Sequence, residues 1–191
     1  MVWGKPCGDG STAGHIEFTA LKFYVSDIRF FNGEKPVASH GGIYLADLET
    51  PGSLRIDCGQ AIPPFDRVAF HLGIDSLTNT SGVMGGDLDP IKGMYWTWQS
   101  GYVYFKIEGT SGPGPDQNRP FTFHIGGYRH PSGALQEIRL DAHGGGDITV
   151  DIALDALPVL TDPGAVREIM SPGPKAREMA VWFASVFKTT P

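Results

Sequence analysis

Apolar and polar residues alternate with period two along most of this chain, the spacing of strands with one face on a core. The cleanest run is Tyr24-Val25-Ser26-Asp27-Ile28-Arg29-Phe30, inside a stretch over 15–31 that reads as one or two strands and ends at the Asn32-Gly33 turn signal. Further strands are predicted at 43–46, 54–58, 67–74, 94–99, 102–108, 121–126, 135–140 and 148–154. About nine short strands separated by turn signals predict an all-β fold, an antiparallel β-sandwich.

The carboxyl end changes period. Asp162-Pro163 can open a short helix, with proline at the first helical position. Beyond Pro172-Gly173-Pro174, the residues Ala176, Met179, Ala180, Phe183, Val186 and Phe187 recur at helical spacing. They predict an amphipathic helix docked on the sandwich, with Trp182 beside the stripe. The chain is therefore divided into a β-sandwich domain over 1–160 and a helical extension over 161–191.

Composition narrows the class of partner. The chain has 191 residues, net charge -6 and no cluster of Lys or Arg, which argues against nucleic acid. No apolar run approaches the roughly 18 residues of a membrane span. Twenty-six glycines and 15 prolines suit a turn-rich β protein. Met1-Val2-Trp3-Gly4-Lys5 lacks the apolar stretch of a signal peptide, so the protein is either cytosolic or begins after a removed leader. In an oxidising compartment Cys7 and Cys58 would pair and close a loop of about 50 residues, worth about 4 kcal/mol through chain entropy. In a reducing one they are two separate thiols.

Candidate chemistry sits on a few residues. Two of the four tryptophans and three of the six tyrosines fall within Gly93–Gly109, where Met94, Trp96 and Trp98 share one face of a strand. His71 and His124 each stand between apolar neighbours that take the core face, so each projects from the opposite face. Imidazole is a common copper ligand, and two of them on adjacent strands at one height would suit the metal. The pattern leaves open whether each is a ligand or a hydrogen-bonded strand residue. His130, in the turn after Tyr128-Arg129, can reach the same end of the fold as His124. Asp75, Asp87 and Asp89 crowd the loop before the aromatic stretch, either as a hard-oxygen cation site or as a loop capped by its own Asx turns. Neither a Gly-x-Ser-x-Gly elbow nor a His-Glu-x-x-His motif is present, so the residues make no case for an enzyme.

Five pieces carry a family resemblance in order. They are Leu21-Lys22-Phe23-Tyr24-Val25-Ser26-Asp27, Phe70-His71-Leu72-Gly73-Ile74-Asp75, Leu88-Asp89-Pro90, Met94-Tyr95-Trp96-Thr97-Trp98-Gln99-Ser100-Gly101-Tyr102 and Phe121-Thr122-Phe123-His124-Ile125-Gly126-Gly127. Together they resemble the MbnP-like family of bacterial cell-envelope proteins associated with copper. The resemblance implies a periplasmic or cell-surface location and a role in storing, delivering or sequestering copper, as Cu(I) or Cu(II). It implies two histidine ligands and a tryptophan oxidised to kynurenine by a dihaem partner enzyme, with Trp96 or Trp98 as the oxidised residue. His124 matches the family's Phe-His piece. His71 stands where relatives often carry another residue, and Thr80 where some carry a histidine. The alternatives are a metal-free module that uses the aromatic strands to hold a carbohydrate or a protein, and a structural envelope protein.

Overall fold

A computed structural model of the chain describes residues 2–3, 15–59, 61–96, 100–112, 117–144, 147–162 and 164–190. In chain order its elements are β1 (Val2–Trp3), β2 (His15–Asn32), β3 (Lys35–Asp47), β4 (Phe65–Leu72), α1 (Ser76–Thr80), β5 (Val103–Gly112), β6 (Arg119–Gly126), β7 (Gln136–Gly144), β8 (Thr149–Ile152), α2 (Pro158–Thr161), β9 (Glu168–Ile169), α3 (Pro174–Ser185) and β10 (Phe187–Thr189). Seven of the strands form one sheet in the order β7-β4-β2-β5-β6-β9, with β3 on β2 as well, and β1, β8 and β10 form a second, small sheet.

The predominance of strand agrees with the sequence expectation; the strands divide unequally, seven in one sheet and three in the other, and this division does not by itself confirm the expected sandwich. The long strand β2 organises the main sheet. β3 pairs along Lys22–Asn32, β5 along His15–Phe23 and β4 along Val25–Phe31. Lys22 and Phe23 have both β3 and β5 as partners, and Val25 and Ser26 have both β3 and β4. A strand has two edges, so β4 and β5 share one edge of β2 in tandem, opposite β3. The sheet forks there into an arm β4-β7 and an arm β5-β6-β9. Asp27 marks the division: it is a bulge residue with φ 50°, and the register slips on either side of it.

One side of the sheet carries the main core. Phe23, Phe105 and Phe187 surround the ring of Phe183 from α3, with centroids 6.0, 4.4 and 5.3 Å away. Ala176, Met179, Ala180 and Phe183 are the buried stripe of α3, as the helical spacing predicts, and Trp182 lies at its margin. The helix touches both β6 and β7, so it ties the two arms together.

Several local expectations are corrected. Phe187 belongs to β10 rather than to the helix, because the chain turns at Val186 and pairs with β8. The run predicted as a strand at 94–99 keeps, among the described residues, a single bridge from Tyr95 to Tyr102. The predicted strand at 54–58 begins in a 3-10 turn, Pro51–Leu54. The short helix is Pro158–Thr161, ahead of the Asp162-Pro163 pair that was expected to start it. The tail is also woven into both sheets, through β9 on β6 and β10 on β8. Arg167 fastens it: Nη2 donates to the carbonyls of Ser111 (3.1 Å) and Arg119 (2.6 Å), and Nε to that of Pro120 (3.0 Å).

Candidate functional site

The described part of the connection from Gly73 to Tyr102 packs against Tyr24 and Tyr104, on the side of the sheet opposite α3. Gly73 leaves β4 with its amide donating to Tyr24 O and its carbonyl accepting from Ser26 Oγ, so the exit is fixed on β2. Its φ is +113°, and a Cβ there would lie 2.6 Å from the Tyr104 ring, which leaves room for glycine alone. Asp75 then caps α1, accepting from the Thr78 amide (3.0 Å) and hydroxyl (2.6 Å). Burial opposes the charge on Asp75, but these bonds and the local backbone amides outweigh it and hold the carboxyl below its usual range.

Buried Asn79 joins α1 to the aromatic segment. Its Oδ1 accepts from the Tyr102 amide at 3.2 Å and its Nδ2 donates to the Tyr104 hydroxyl at 2.9 Å. Burial pushes the Tyr104 phenol up to about 12, so it stays neutral and free to accept. Gly101 at φ +71° passes so close that a Cβ would sit 1.7 Å from Asn79 Oδ1. On the strand side, the Trp96 amide donates to Gly101 O and the Val103 amide to Met94 O, both at 2.9 Å. Met94, Tyr102 and Tyr104 are fully buried, and Tyr95 and Trp96 are half-buried. The described part of this segment therefore offers no flat exposed aromatic face. Trp98 lies outside the described residues.

The acidic loop is occupied by its own bonds. Asp87 Oδ2 accepts from the Leu45 amide, its Oδ1 pairs with Lys92 Nζ at 2.7 Å, and its carbonyl accepts from Tyr24 Oη. Asp89 accepts from the Ile91 amide. Asp75 and Asp89 cap their own turns, as the Asx-turn reading has it, whereas Asp87 is held by the distant Leu45 amide and by Lys92.

Trp96 reaches the arm β5-β6. Its six-membered ring lies over Gly126, where a Cβ would approach within 2.9 Å of Cζ3. His124 is two residues back on the same strand and so on the same face, about 7 Å along β6. His124 is half-buried: its Nε2 meets Glu108 Oε1 at 2.5 Å, and Lys106 Nζ stands 3.6 Å from that same oxygen. Burial works against the Glu108 charge, but the His124 bond and Lys106 outweigh it and hold the carboxyl below its usual value.

His71 lies elsewhere. It is on β4, level with Ser26 of β2, whereas His124 is on β6, level through Lys106 with Lys22. The two histidines occupy different arms, and four residues of β2, about 13 Å of strand, separate their levels. Their strands are not neighbours. His71 Nδ1 instead faces Asp27 Oδ2 at 3.5 Å, beside Arg29. His130 is exposed in the turn after β6, joined to Pro131 by a cis peptide. Among the described residues no three His, Cys, Asp or Glu side chains are grouped so as to hold a metal ion. Cys58 is a half-buried free thiol whose pKa burial raises, and its expected partner Cys7 lies outside the described residues.

Three residues of this site are absent from a reading of the sequence as ligands. Glu108 had a visible signal, since it alternates onto the polar face of its strand. Gly101 lies within the aromatic family piece, but its contact with Asn79 had no signal, because it spans two distant segments.

The fold has a counterpart among known proteins. Residues 2–171 match the family model MbnP. The fold is similar to that of MbnP from Methylosinus trichosporium, with a TM-score of 0.53 and 17% identity, covering 86% of this chain and 73% of that one. No curated protein sequence matches. A family match over most of the chain decides the assignment: the chain belongs to the MbnP family.

Proposed function

We propose that this protein binds copper in the cell envelope, as a store, carrier or trap for the metal rather than as an enzyme. The observation that carries the reading is the pair His124–Glu108 on the face of β6 that Trp96 covers at Gly126. A metal-ligating histidine characteristically gives its second ring nitrogen to a carboxylate, which fixes the ring and its tautomer. With Nε2 on Glu108, Nδ1 of His124 is the nitrogen left for a metal. Intact indole has only an N–H donor and cannot ligate. Oxidation of Trp96 to kynurenine by a dihaem partner would supply an amine and a carbonyl on the same face. Membership of the MbnP family supports the copper assignment, and no helix among the described residues is long and apolar enough to cross a membrane. His71, on the other arm, stands outside this ligand set, and His130 and Trp98 remain the further candidates.

The test is copper per chain by elemental analysis, on protein purified from its own host grown with copper and then dialysed. The wild type and His71→Ala should retain the metal, and His124→Ala should lose it. Peptide mass spectrometry should find kynurenine at Trp96. Unchanged copper in His124→Ala would remove the ligand assignment. A wild type without copper would favour the metal-free binding module.

A further inference from the structure

We propose that the hollow between the aromatic segment and the turn after β6 is a binding site for a small organic anion, a carboxylate held by Arg129. The hollow has a volume of about 340 Å³ and is lined by Ser100, Tyr128, Arg129, Ser132, Ser171 and Pro172, with Gly127 at its base. None of these side chains is acidic, in a chain whose net charge is -6.

Arg129 is prepared for a ligand. Its guanidinium carbon stands 5.4 Å from the centroid of the Tyr128 ring, and Nε donates to the Tyr128 hydroxyl at 3.3 Å. Those contacts leave Nη1 and Nη2 without a partner among the described residues. Five of the other seven arginines are committed, and the remaining two, Arg119 and Arg177, do not line this hollow. Arg29 and Arg139 pair with Glu137, Arg55 with Asp147, Arg67 with Glu34, and Arg167 with backbone carbonyls. A planar fork of free N–H groups takes a carboxylate bidentately. Restraint over an aromatic ring lowers the conformational entropy lost on binding.

The walls fit the same occupant. The hydroxyls of Ser100, Ser132 and Ser171 make no hydrogen bond to the described residues and are available as further donors. The turn is closed on itself, with the Ala134 amide donating to Gly127 O at 2.8 Å. Pro172 packs so tightly on Gly127 that a Cβ there would be 3.0 Å from it. A volume near 340 Å³ lies within the range of small-molecule sites and exceeds what a bare inorganic ion fills. The ring of Trp96 rests on Gly126, the residue before this base, so a bound anion would sit next to the aromatic segment.

The site is independent of copper, and its test uses metal-free, full-length protein. Isothermal titration at low ionic strength would compare citrate, inorganic phosphate and glucose. Citrate should bind saturably and more weakly as salt is added, since the interaction is ionic. Arg129→Gln should weaken it about tenfold or more, the effect of losing a charge-assisted pair. Arg139→Gln, which removes an arginine paired elsewhere, should leave it unchanged. Arg129 is exposed, so circular dichroism and melting of Arg129→Gln should match the wild type. Absence of citrate binding, equal affinity in Arg129→Gln, or binding of glucose as tight as citrate would each overturn the proposal. Phosphate binding as tight as citrate would overturn its organic-anion part.

Discussion

The contact between Asn79 and Gly101 supplies a quantitative test of how the aromatic segment is held. Asn79→Ala leaves the buried Tyr102 amide without its acceptor and removes a bond to the Tyr104 hydroxyl. An unpaired buried donor plus one lost hydrogen bond costs about 2–4 kcal/mol. Gly101→Ala places a methyl 1.7 Å from Asn79 Oδ1 at φ +71°, so Asn79 must swing away. Its cost is the same loss plus about 1–2 kcal/mol for a left-handed L-residue. Once Asn79 is alanine the clash disappears and only the left-handed term remains. The double variant should therefore be more stable than the sum of the single effects implies, by about 2–4 kcal/mol. Urea denaturation reads this directly: midpoints shift while the slope stays constant. Strict additivity, or a Gly101→Ala cost no larger than the left-handed term, would refute the reasoning.

Other consequences follow from single contacts. Glu108 is held below its usual pKa, so its charge contributes stability above the unfolded value, about 4.5, and that contribution is lost as pH falls through the folded value. Glu108→Gln should thus be less stable than wild type at pH 7, with the gap closing in acid; a gap independent of pH would contradict the assignment. Arg167→Met should cost about 2–4 kcal/mol by stranding the carbonyls of Ser111, Arg119 and Pro120, seen as a lower melting temperature. Phe183→Ala should cost about 3–5 kcal/mol, because the ring is fully buried among Phe23, Phe105 and Phe187. Limited proteolysis should then cut first near α3, and unchanged resistance would mean that the helix does not tie the arms.

Much of this was written in local periodicity. Alternation marked Val68, Phe70 and Leu72 as inward and left His71 half-exposed, and it did the same for His124 between Phe123 and Ile125. Helical spacing picked out Ala176, Met179, Ala180 and Phe183 before any neighbour was known. These are preferences of a strand or a helix for burying one face, and neighbouring residues suffice to express them. The five ordered pieces were likewise visible, and they led to the family.

Tertiary structure alone decided what those faces meet. Period two says which way a side chain points but carries nothing about which edge a strand joins, so the fork at β2 could not be read from the chain. That fork places His71 and His124 on different arms, and gives each its own carboxylate, Asp27 or Glu108. It also turns Asn79, Gly101 and Gly126 into contacts of the aromatic segment, although no local periodicity shows what they touch. The sequence by itself determined most of the strands, the buried stripe of α3 and the family. Pairing between distant edges, which depends on backbone hydrogen bonds common to every residue, decided which side chains could share a site.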